Sequence, residues 1–72
     1  MIQQIAETVA LWQSIIGVEA SGVWDEATTR ATREWQAREL PQLDEVKRGH
    51  LNPESWQRAE ALGLIPEKES GG

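Results

Sequence analysis

The chain carries few of the side chains that catalysis or metal binding requires. It has no cysteine and a single histidine, His50, so neither a thiolate site nor a site built from several imidazoles is available. General acid–base catalysis needs two carboxylates held together in a partly dry cleft. The acidic pairs Asp25-Glu26 and Asp44-Glu45 are adjacent in sequence, and adjacent residues of a helix point away from each other. We therefore expect surface and helix-cap carboxylates, with no metal, no cofactor and no catalytic residue.

The four tryptophans are the other residues whose side chains can bind a ligand. They are the only aromatic residues, since the chain has no Phe and no Tyr. An indole ring can stack on a sugar, or it can bury about 150–250 Å² in a core. A small chain without disulfides needs large apolar side chains, and helical periodicity places Trp12, Trp35 and Trp56 on apolar faces. Trp24 lies at a turn instead. It therefore stays open between a core role and a partly exposed one, in which its ring stacks on a glycan or partner side chain and its N–H donates a hydrogen bond.

The charge balance limits the partners of the chain. Seven Lys and Arg against twelve Asp and Glu give a net charge of −5, with no basic stripe to neutralise phosphates. The arginines Arg30, Arg33 and Arg38 alternate with Glu34 and Glu39, a pattern typical of a salt-bridged helix surface. No apolar run reaches the ~20 residues of a membrane span. We expect no nucleic-acid partner and no membrane partner.

The first residues lack the basic region and the apolar core of a secretory signal. The chain is therefore expected to be cytoplasmic as synthesised, to leave the cell without a signal, or to be a piece of a larger protein. The closing Ser-Gly-Gly is typical of a linker remnant, which would make the chain a trimmed or designed piece, and equally of a flexible native tail.

The first segment has the periodicity of an amphipathic helix. Its apolar residues recur at steps of three and four: Ile2, Ile5, Ala6, Val9, Trp12 and Ile16. Gly17 follows the last of them and can close the helix, with Val18 as the apolar contact back onto its last turn.

A second helix begins at Asp25, whose side chain can cap free backbone N–H groups, and ends before Pro41. The predicted inner side comprises Ala27, Ala31, Trp35 and the alkyl stem of Arg38, flanked by Thr28 and Thr32. The connection over 41–51 has Leu43 and Val46 as expected buried anchors, and the stretch 44–46 could form a short helical turn.

Asn52-Pro53-Glu54-Ser55 is a strong helix start, with an Asn cap followed by Pro at the first helical position. The third helix is predicted to run through Trp56, Ala59 and Leu62 to Gly63, with Leu64 and Ile65 folded back as an apolar lid. We thus predict an all-α, compact three-helix bundle over residues 1–65 and a disordered polar tail over 66–72.

The chain contains a short internal repeat. The segment 22–28, Gly-Val-Trp-Asp-Glu-Ala-Thr, matches 49–55, Gly-His-Leu-Asn-Pro-Glu-Ser, at an offset of 27 residues. Each copy has a glycine for a tight turn, a large apolar residue, a helix cap and a hydroxyl. The dipeptide Trp-Gln also recurs, at 12–13, 35–36 and 56–57.

These motifs, in this order, resemble the small three-helix peptidoglycan-binding domain appended to bacterial and phage cell-wall hydrolases. In the first helix the matching residues are Val9, Trp12, Gln13 and Ile16. In the first turn-helix unit they are Gly22, Trp24, Thr28, Ala31, Trp35 and Gln36. In the second unit they are Gly49, Leu51, Asn52, Pro53, Ser55 and Trp56.

The resemblance covers about residues 5–62, and the chain departs from the family pattern in several places. Ser21 and Arg48 replace the Asp before each glycine, Asp25 and Asn52 replace the glycine after each apolar residue, and the connection from Gln36 to Gly49 is longer and more charged. Most of the matching residues occupy turn, cap and core positions. The match therefore supports the fold of the family more strongly than its ligand binding.

The resemblance implies a non-catalytic binding module for the glycan or stem peptide of bacterial cell wall. The residues expected to bind are Trp24, Asp25, Gln36, Gly49, His50 and Asn52. For Gln13 and Gln36 a second interpretation is that the amides tie the backbones of neighbouring turns. For Thr28 and Ser55 we expect structural roles at the helix starts.

The alternative function is a phage virion or capsid decoration subunit that uses the same fold to bind another protein. It is motivated by a chain that opens on Met without a signal sequence and without an attached hydrolase. In that case the partner is a virion protein, whereas in the first case it is peptidoglycan or a hydrolase domain.

Overall fold

A computed structural model of the chain describes residues 2–65, with side chains from residue 6 onward. The regular structure of this range is helical. It consists of α1 (Ile2–Ile16), α2 (Glu26–Glu39), a 3₁₀ helix (Glu45–Lys47) and α3 (Pro53–Ala61). The predicted all-α, three-helix architecture is confirmed, as is the short helical turn in the connection between α2 and α3. None of the helices described is long and apolar enough to cross a membrane.

The helices begin and end at the predicted signals. Asp25 caps α2 by accepting a hydrogen bond from the Thr28 N–H at 2.9 Å, and Asn52 caps α3 by accepting one from the Ser55 N–H at 3.0 Å. After the last turn of α1, the carbonyl of Gln13 accepts from the N–H of Gly17 and from the N–H of Val18, both at 2.9 Å, which closes the helix end. Local chemistry therefore sets the element boundaries.

The apolar core centres on two indole rings. Trp12 is fully buried and Trp35 almost so, and their rings meet edge to face at 5.0 Å with an interplanar angle of 80°. Ala59 of α3 completes the buried cluster, and Trp56 packs at 6.4 Å from Trp12 while remaining half-buried. Other half-buried apolar residues pack around this centre: Ile15, Ile16, Trp24, Leu40, Leu51 and Ile65.

The inner face of α2 differs from the prediction. Thr28 and Thr32 are fully buried, whereas Ala27 and Arg38 are exposed and Ala31 is half-buried. The reason is hydrogen bonding, since a buried hydroxyl is tolerated when it has a partner. The indole N–H of Trp12 donates to the hydroxyl oxygen of Thr32 at 3.0 Å across the α1–α2 interface.

Val46 is wrong as a predicted anchor, because its side chain is 81 % exposed. Its neighbours hold the 3₁₀ helix in place through ion pairs, Glu45 with Arg33 at 2.6 Å and Lys47 with Glu54 at 2.7 Å. Successive residues of a 3₁₀ helix point about 120° apart. Because Glu45 is directed at α2 and Lys47 at α3, Val46 between them faces solvent.

Three further predictions, on the packing of Ala6, on the apolar lid and on the salt bridges of α2, are correct only in part. Ala6 is exposed on α1, and Leu64 is 43 % exposed, so only Ile65 of the proposed lid packs on the core. The helix surface of α2 is salt-bridged, but with other partners. Glu26 pairs with Arg30, and Glu39 pairs with Arg58 of α3.

Leu62 likewise differs from its predicted inner position, because it caps α3 and is 41 % exposed. The side chains of Ile2 and Ile5 and the proposed tail over 66–72 lie outside the described part of the chain, and the statements about them stay predictions.

Candidate functional site

The first turn of the molecule is organised by the buried amide of Gln13, on α1. Its Oε1 accepts a hydrogen bond from the N–H of Gly22 at 2.9 Å, and its Nε2 donates to the carbonyl of Val23 at 2.9 Å. The same Nε2 donates to the hydroxyl oxygen of Thr28 at 2.8 Å. That hydroxyl in turn donates to Asp25 at 2.7 Å. One amide thus joins α1, the turn and the first residues of α2.

The second turn has the same arrangement around Gln36, on α2. Its Oε1 accepts from the N–H of Gly49 at 2.8 Å, and its Nε2 donates to the carbonyl of His50 at 2.9 Å. The Nε2 also donates to the hydroxyl oxygen of Ser55 at 2.8 Å, and this hydroxyl donates to Asn52 at 2.7 Å. The internal repeat of the sequence is therefore a repeated hydrogen-bonded unit.

These hydrogen bonds give the glutamines of the first two Trp-Gln pairs a structural role. Gln13 and Gln36 are fully buried, and the interpretation that each amide ties a neighbouring turn is confirmed. Thr28 and Ser55, which are also fully buried, have the predicted structural roles at the helix starts. Gln57 of the third Trp-Gln pair is exposed on α3, so this third occurrence does not form an equivalent unit.

The glycine of each unit lies in the left-handed region, with φ of 83° at Gly22 and 86° at Gly49. A Cβ added at Gly22 would lie 3.3 Å from the carbonyl oxygen of Ala6 on α1. One added at Gly49 would lie 3.2 Å from side-chain carbons of both Thr29 and Arg33 on α2. Each turn therefore sits directly against the preceding helix.

The two turns also approach each other through Thr29. The indole N–H of Trp24, in the first turn, donates to the hydroxyl oxygen of Thr29 at 2.7 Å. The methyl group of the same threonine faces Gly49 of the second turn. We call the surface formed by Trp24, Thr29, Arg33, Gly49 and His50 the Trp24 surface. It contains an aromatic residue, an arginine whose side-chain carbons lie near Gly49, and the exposed residue His50.

The six residues expected to bind a ligand occupy different depths. His50 and the cap Asp25 are exposed, while Trp24 and Asn52 are half-buried. Gln36 and Gly49 are buried, so in this conformation they position the second turn. The N–H of Trp24 is already used by Thr29, which leaves the ring face for a partner. Ligand binding by these residues stays a prediction.

Hydrogen bonds and ion pairs shift four titrating groups. The hydroxyl and the N–H of Thr28 hold the pKa of Asp25 below its usual range. The Arg33 guanidinium lowers the pKa of Glu45. Lys47 lowers the pKa of Glu54, which in return raises the pKa of Lys47. Each shift stabilises the charged form, so these groups are engaged in structure at neutral pH.

Sequence reasoning did not anticipate a pocket of about 320 Å³ after the end of α2. Its lining comprises Glu39, Leu40, Pro41, Gln42, Leu43 and Glu54. The signal in the sequence that points to this pocket is the longer connection between glutamine and glycine in the second repeat unit. Gly22 follows Gln13 by nine positions, whereas Gly49 follows Gln36 by thirteen.

Within residues 2–65, no group of three or more His, Cys, Asp and Glu side chains is placed to hold a metal ion. No family model, curated protein or solved structure matches the chain significantly.

Proposed function

We propose that this domain is a non-catalytic binding module that recognises bacterial peptidoglycan through the Trp24 surface. The observation that carries the proposal is the equivalence of the two turn-helix units. The residues that resemble the peptidoglycan-binding domain include the amides, glycines and hydroxyls that build these units: Gln13, Gly22, Thr28, Gln36, Gly49 and Ser55.

The position of Trp24 supports a binding role at this surface. Its ring is half-buried and its N–H is fixed by Thr29, so the ring is held in one orientation with part of its surface exposed. A fixed aromatic ring is suited to stacking on a flat apolar face of a sugar, because little conformational entropy is lost on binding. In the second turn, which Thr29 connects to this ring, the exposed His50 supplies a polar group for the carboxylates and amides of a stem peptide.

The acidic side chains support a role without catalysis. Asp25 caps α2, and Glu45 is held by Arg33 at 2.6 Å. Asp25 and Glu45 thus serve helix capping and ion pairing, whereas an acid–base pair requires two carboxylates facing one substrate.

The direct test is sedimentation with insoluble peptidoglycan. The purified chain is incubated with the polymer at low and at physiological salt, and the pelleted fraction is measured. The proposal expects the chain in the pellet at both salt concentrations. A chain that stays in the supernatant at both would overturn it.

A matched pair of variants locates the binding surface. Leu51 occupies in the second unit the position of Trp24 in the first, so Trp24→Leu keeps an apolar residue that this fold accepts. It is expected to weaken peptidoglycan binding about two- to tenfold, because aromatic stacking contributes about 0.5–1.5 kcal/mol. The control Gln57→Ala alters an exposed side chain of α3 and is expected to bind like the parent.

A chemical-shift titration with soluble muropeptides gives an independent location. The proposal expects the largest shifts at the indole N–H of Trp24 and at the backbone amides of Gly49, His50 and Asn52. Shifts confined to other parts of the chain would contradict the assignment of the surface.

A second candidate, a virion or capsid decoration subunit, is favoured by the net charge of −5. Wall polymers that are anionic repel such a chain, whereas a virion protein with a basic surface attracts it. Copurification of the chain with assembled particles supports this candidate, and its absence from them would exclude it.

A further inference from the structure

Thr29 occupies a position of α2 whose counterpart on α1 is an alanine. It lies seven residues before the glutamine of its unit, as Ala6 does on α1. In both units the glycine of the turn approaches this helix position, so that Gly22 lies against Ala6 and Gly49 lies against Thr29. The first unit shows that an alanine is large enough to support the turn. Packing of the repeat therefore does not require the hydroxyl of Thr29.

The two branches of the Thr29 side chain contact the two turns. Its hydroxyl oxygen accepts the indole N–H of Trp24 at 2.7 Å, and its methyl carbon lies 3.2 Å from the position that a Cβ of Gly49 would take. The backbone of Thr29 is fixed in the first turn of α2, where its N–H donates to the carbonyl of Asp25 at 3.0 Å. Because the hydroxyl and the methyl group share one Cβ, a rotation that displaces one of them displaces the other.

The acceptor occurs in the unit that contains an indole and is absent from the unit that does not. Leu51 takes the place of Trp24 in the second unit, and the residue five positions after it is Trp56, which has no hydroxyl. A leucine has no donor to satisfy, whereas the N–H of a half-buried indole needs a partner. The hydroxyl of Thr29 thus serves the ring of Trp24 and not the repeat.

We propose that Thr29 is a positioning residue of the Trp24 surface, which couples the orientation of the Trp24 ring to the position of the second turn. A shift of Gly49 toward α2 displaces the methyl group of Thr29 and, with it, the acceptor of the indole N–H. A ligand that contacts both the ring and His50 therefore meets them in one fixed arrangement, so little conformational entropy is lost on binding. The effect on peptidoglycan affinity rests on the proposed function, whereas the effect on the indole does not.

Substitutions at Thr29 separate the roles of its two branches. Thr29→Val keeps the methyl group and removes the acceptor, so the exchange of the Trp24 indole N–H with solvent is expected to rise about two- to tenfold. Sedimentation with insoluble peptidoglycan is expected to show an affinity about two- to tenfold lower, because the ring is no longer fixed before binding. Thr29→Ser keeps the hydroxyl and is expected to restore both values, while the amide resonance of Gly49 shifts because the methyl group is lost.

The indole N–H of Trp12, which donates to Thr32, is the internal control for folding in every variant. With this resonance unchanged, parental indole exchange of Trp24 in Thr29→Val would overturn the proposal. A rise in that exchange at parental peptidoglycan affinity would overturn the positioning role, because a merely structural threonine leaves the affinity of the folded chain unaltered. A parent chain that does not bind peptidoglycan would overturn the proposed function alone, and the indole measurement would then decide the coupling.

Gly49→Ala tests the coupling from the side of the second turn. The added Cβ is expected to displace the methyl group of Thr29 and so to shift the indole N–H resonance of Trp24 in the first turn. Gly63→Ala is the matched control, since its φ of 77° is close to the 86° of Gly49 but its Cβ would meet nothing within 4 Å. In a Thr29→Ser background the shift caused by Gly49→Ala is expected to be smaller. Equal shifts in both backgrounds, or equal shifts from the two glycine substitutions, would overturn the coupling.

Discussion

Gln13 and Gln36 make the same hydrogen bonds to two different turns. Each Oε1 accepts from the N–H of a glycine, at 2.9 and 2.8 Å, and each Nε2 donates at 2.9 Å to the carbonyl of the residue that follows. Each amide also reaches a hydroxyl at the start of the next helix. The domain is thus stabilised by the hydrogen bonds of two buried glutamine amides in addition to its indole core.

Replacement of Gln13 by methionine tests how much the amide of Gln13 contributes to the free energy of unfolding. Gln13→Met keeps the size of the side chain but leaves the N–H of Gly22 and the carbonyl of Val23 without the amide. We expect the free energy of unfolding to fall by about 1–3 kcal/mol, the cost of one unpaired buried polar group, because the carbonyl of Val23 still accepts from the hydroxyl of Ser21. Urea denaturation followed by tryptophan fluorescence measures it.

The control for this prediction is the same substitution in the third Trp-Gln pair. Gln57 is exposed, so Gln57→Met is expected to change the free energy of unfolding by less than about 0.5 kcal/mol. Similar losses in both variants would show that the amide of Gln13 has no special role.

Alanine at Gly22 is expected to cost more than alanine at Gly17. Both glycines have positive φ, of 83° and 90°, which costs a residue with a Cβ about 1–2 kcal/mol. A Cβ at Gly22 also meets the carbonyl oxygen of Ala6 at 3.3 Å, whereas one at Gly17 meets nothing within 4 Å. We therefore expect Gly22→Ala to be less stable than Gly17→Ala by about 1 kcal/mol, the lower end of the cost of overpacking. Equal urea midpoints for the two variants would contradict the close contact between the first turn and α1.

Local signals account for the part of the fold that the sequence predicts. The helix starts at Asp25 and Asn52 and the end of α2 before Pro41 depend on capping and on proline geometry, which act within a few residues. The repeat at an offset of 27 residues also identifies both turns, because glycine, cap and hydroxyl recur in the same order.

The burial of polar residues is the part that the sequence does not predict. Thr32 is fully buried because the indole N–H of Trp12 lies 3.0 Å from its hydroxyl, and this pairing exists only after α1 and α2 have packed. Hydrophobic periodicity assigns the inner face to Ala27 instead, which is exposed. Val46 shows the converse, since it lies in a 3₁₀ helix between Glu45, which is directed at α2, and Lys47, which is directed at α3, and its apolar side chain therefore faces solvent.

The two units differ in their response to acid, because Asp25 caps the first and Asn52 caps the second. The pKa of Asp25 is lowered in the folded chain by the hydroxyl and N–H of Thr28. A lowered folded pKa contributes stability above the unfolded value, about 3.9 for aspartate, and this stability is lost as the pH falls through the folded value. We expect Asp25→Asn, which reproduces the cap of the second unit, to match the parent near pH 7 and to lose less stability below about pH 4.

Urea midpoints measured from pH 7 down to pH 2.5 test this difference. Glu45 and Glu54 also have lowered pKa values, so the variant is expected to retain part of the acid dependence. Glu26→Gln alters the neighbouring acidic residue, which pairs with Arg30 at 3.7 Å on the surface, and serves as the control. A parent-like acid profile in Asp25→Asn would rule out the cap as a source of the pH dependence.

The hydrogen bond between Trp12 and Thr32 is expected to contribute measurably to the stability of the core. Thr32→Val keeps the branched shape and removes the acceptor, which leaves the indole N–H of a fully buried ring unpaired. The expected loss is about 1–3 kcal/mol in the free energy of unfolding. Ala59 stands at the corresponding place of the second unit, so a hydroxyl there is not required by the repeat itself. Thr8→Val, on the exposed part of α1, is the matched control, and it is expected to change stability by less than about 0.5 kcal/mol. If Thr32→Val were as stable as this control, the hydroxyl would be buried without stabilising the α1–α2 interface.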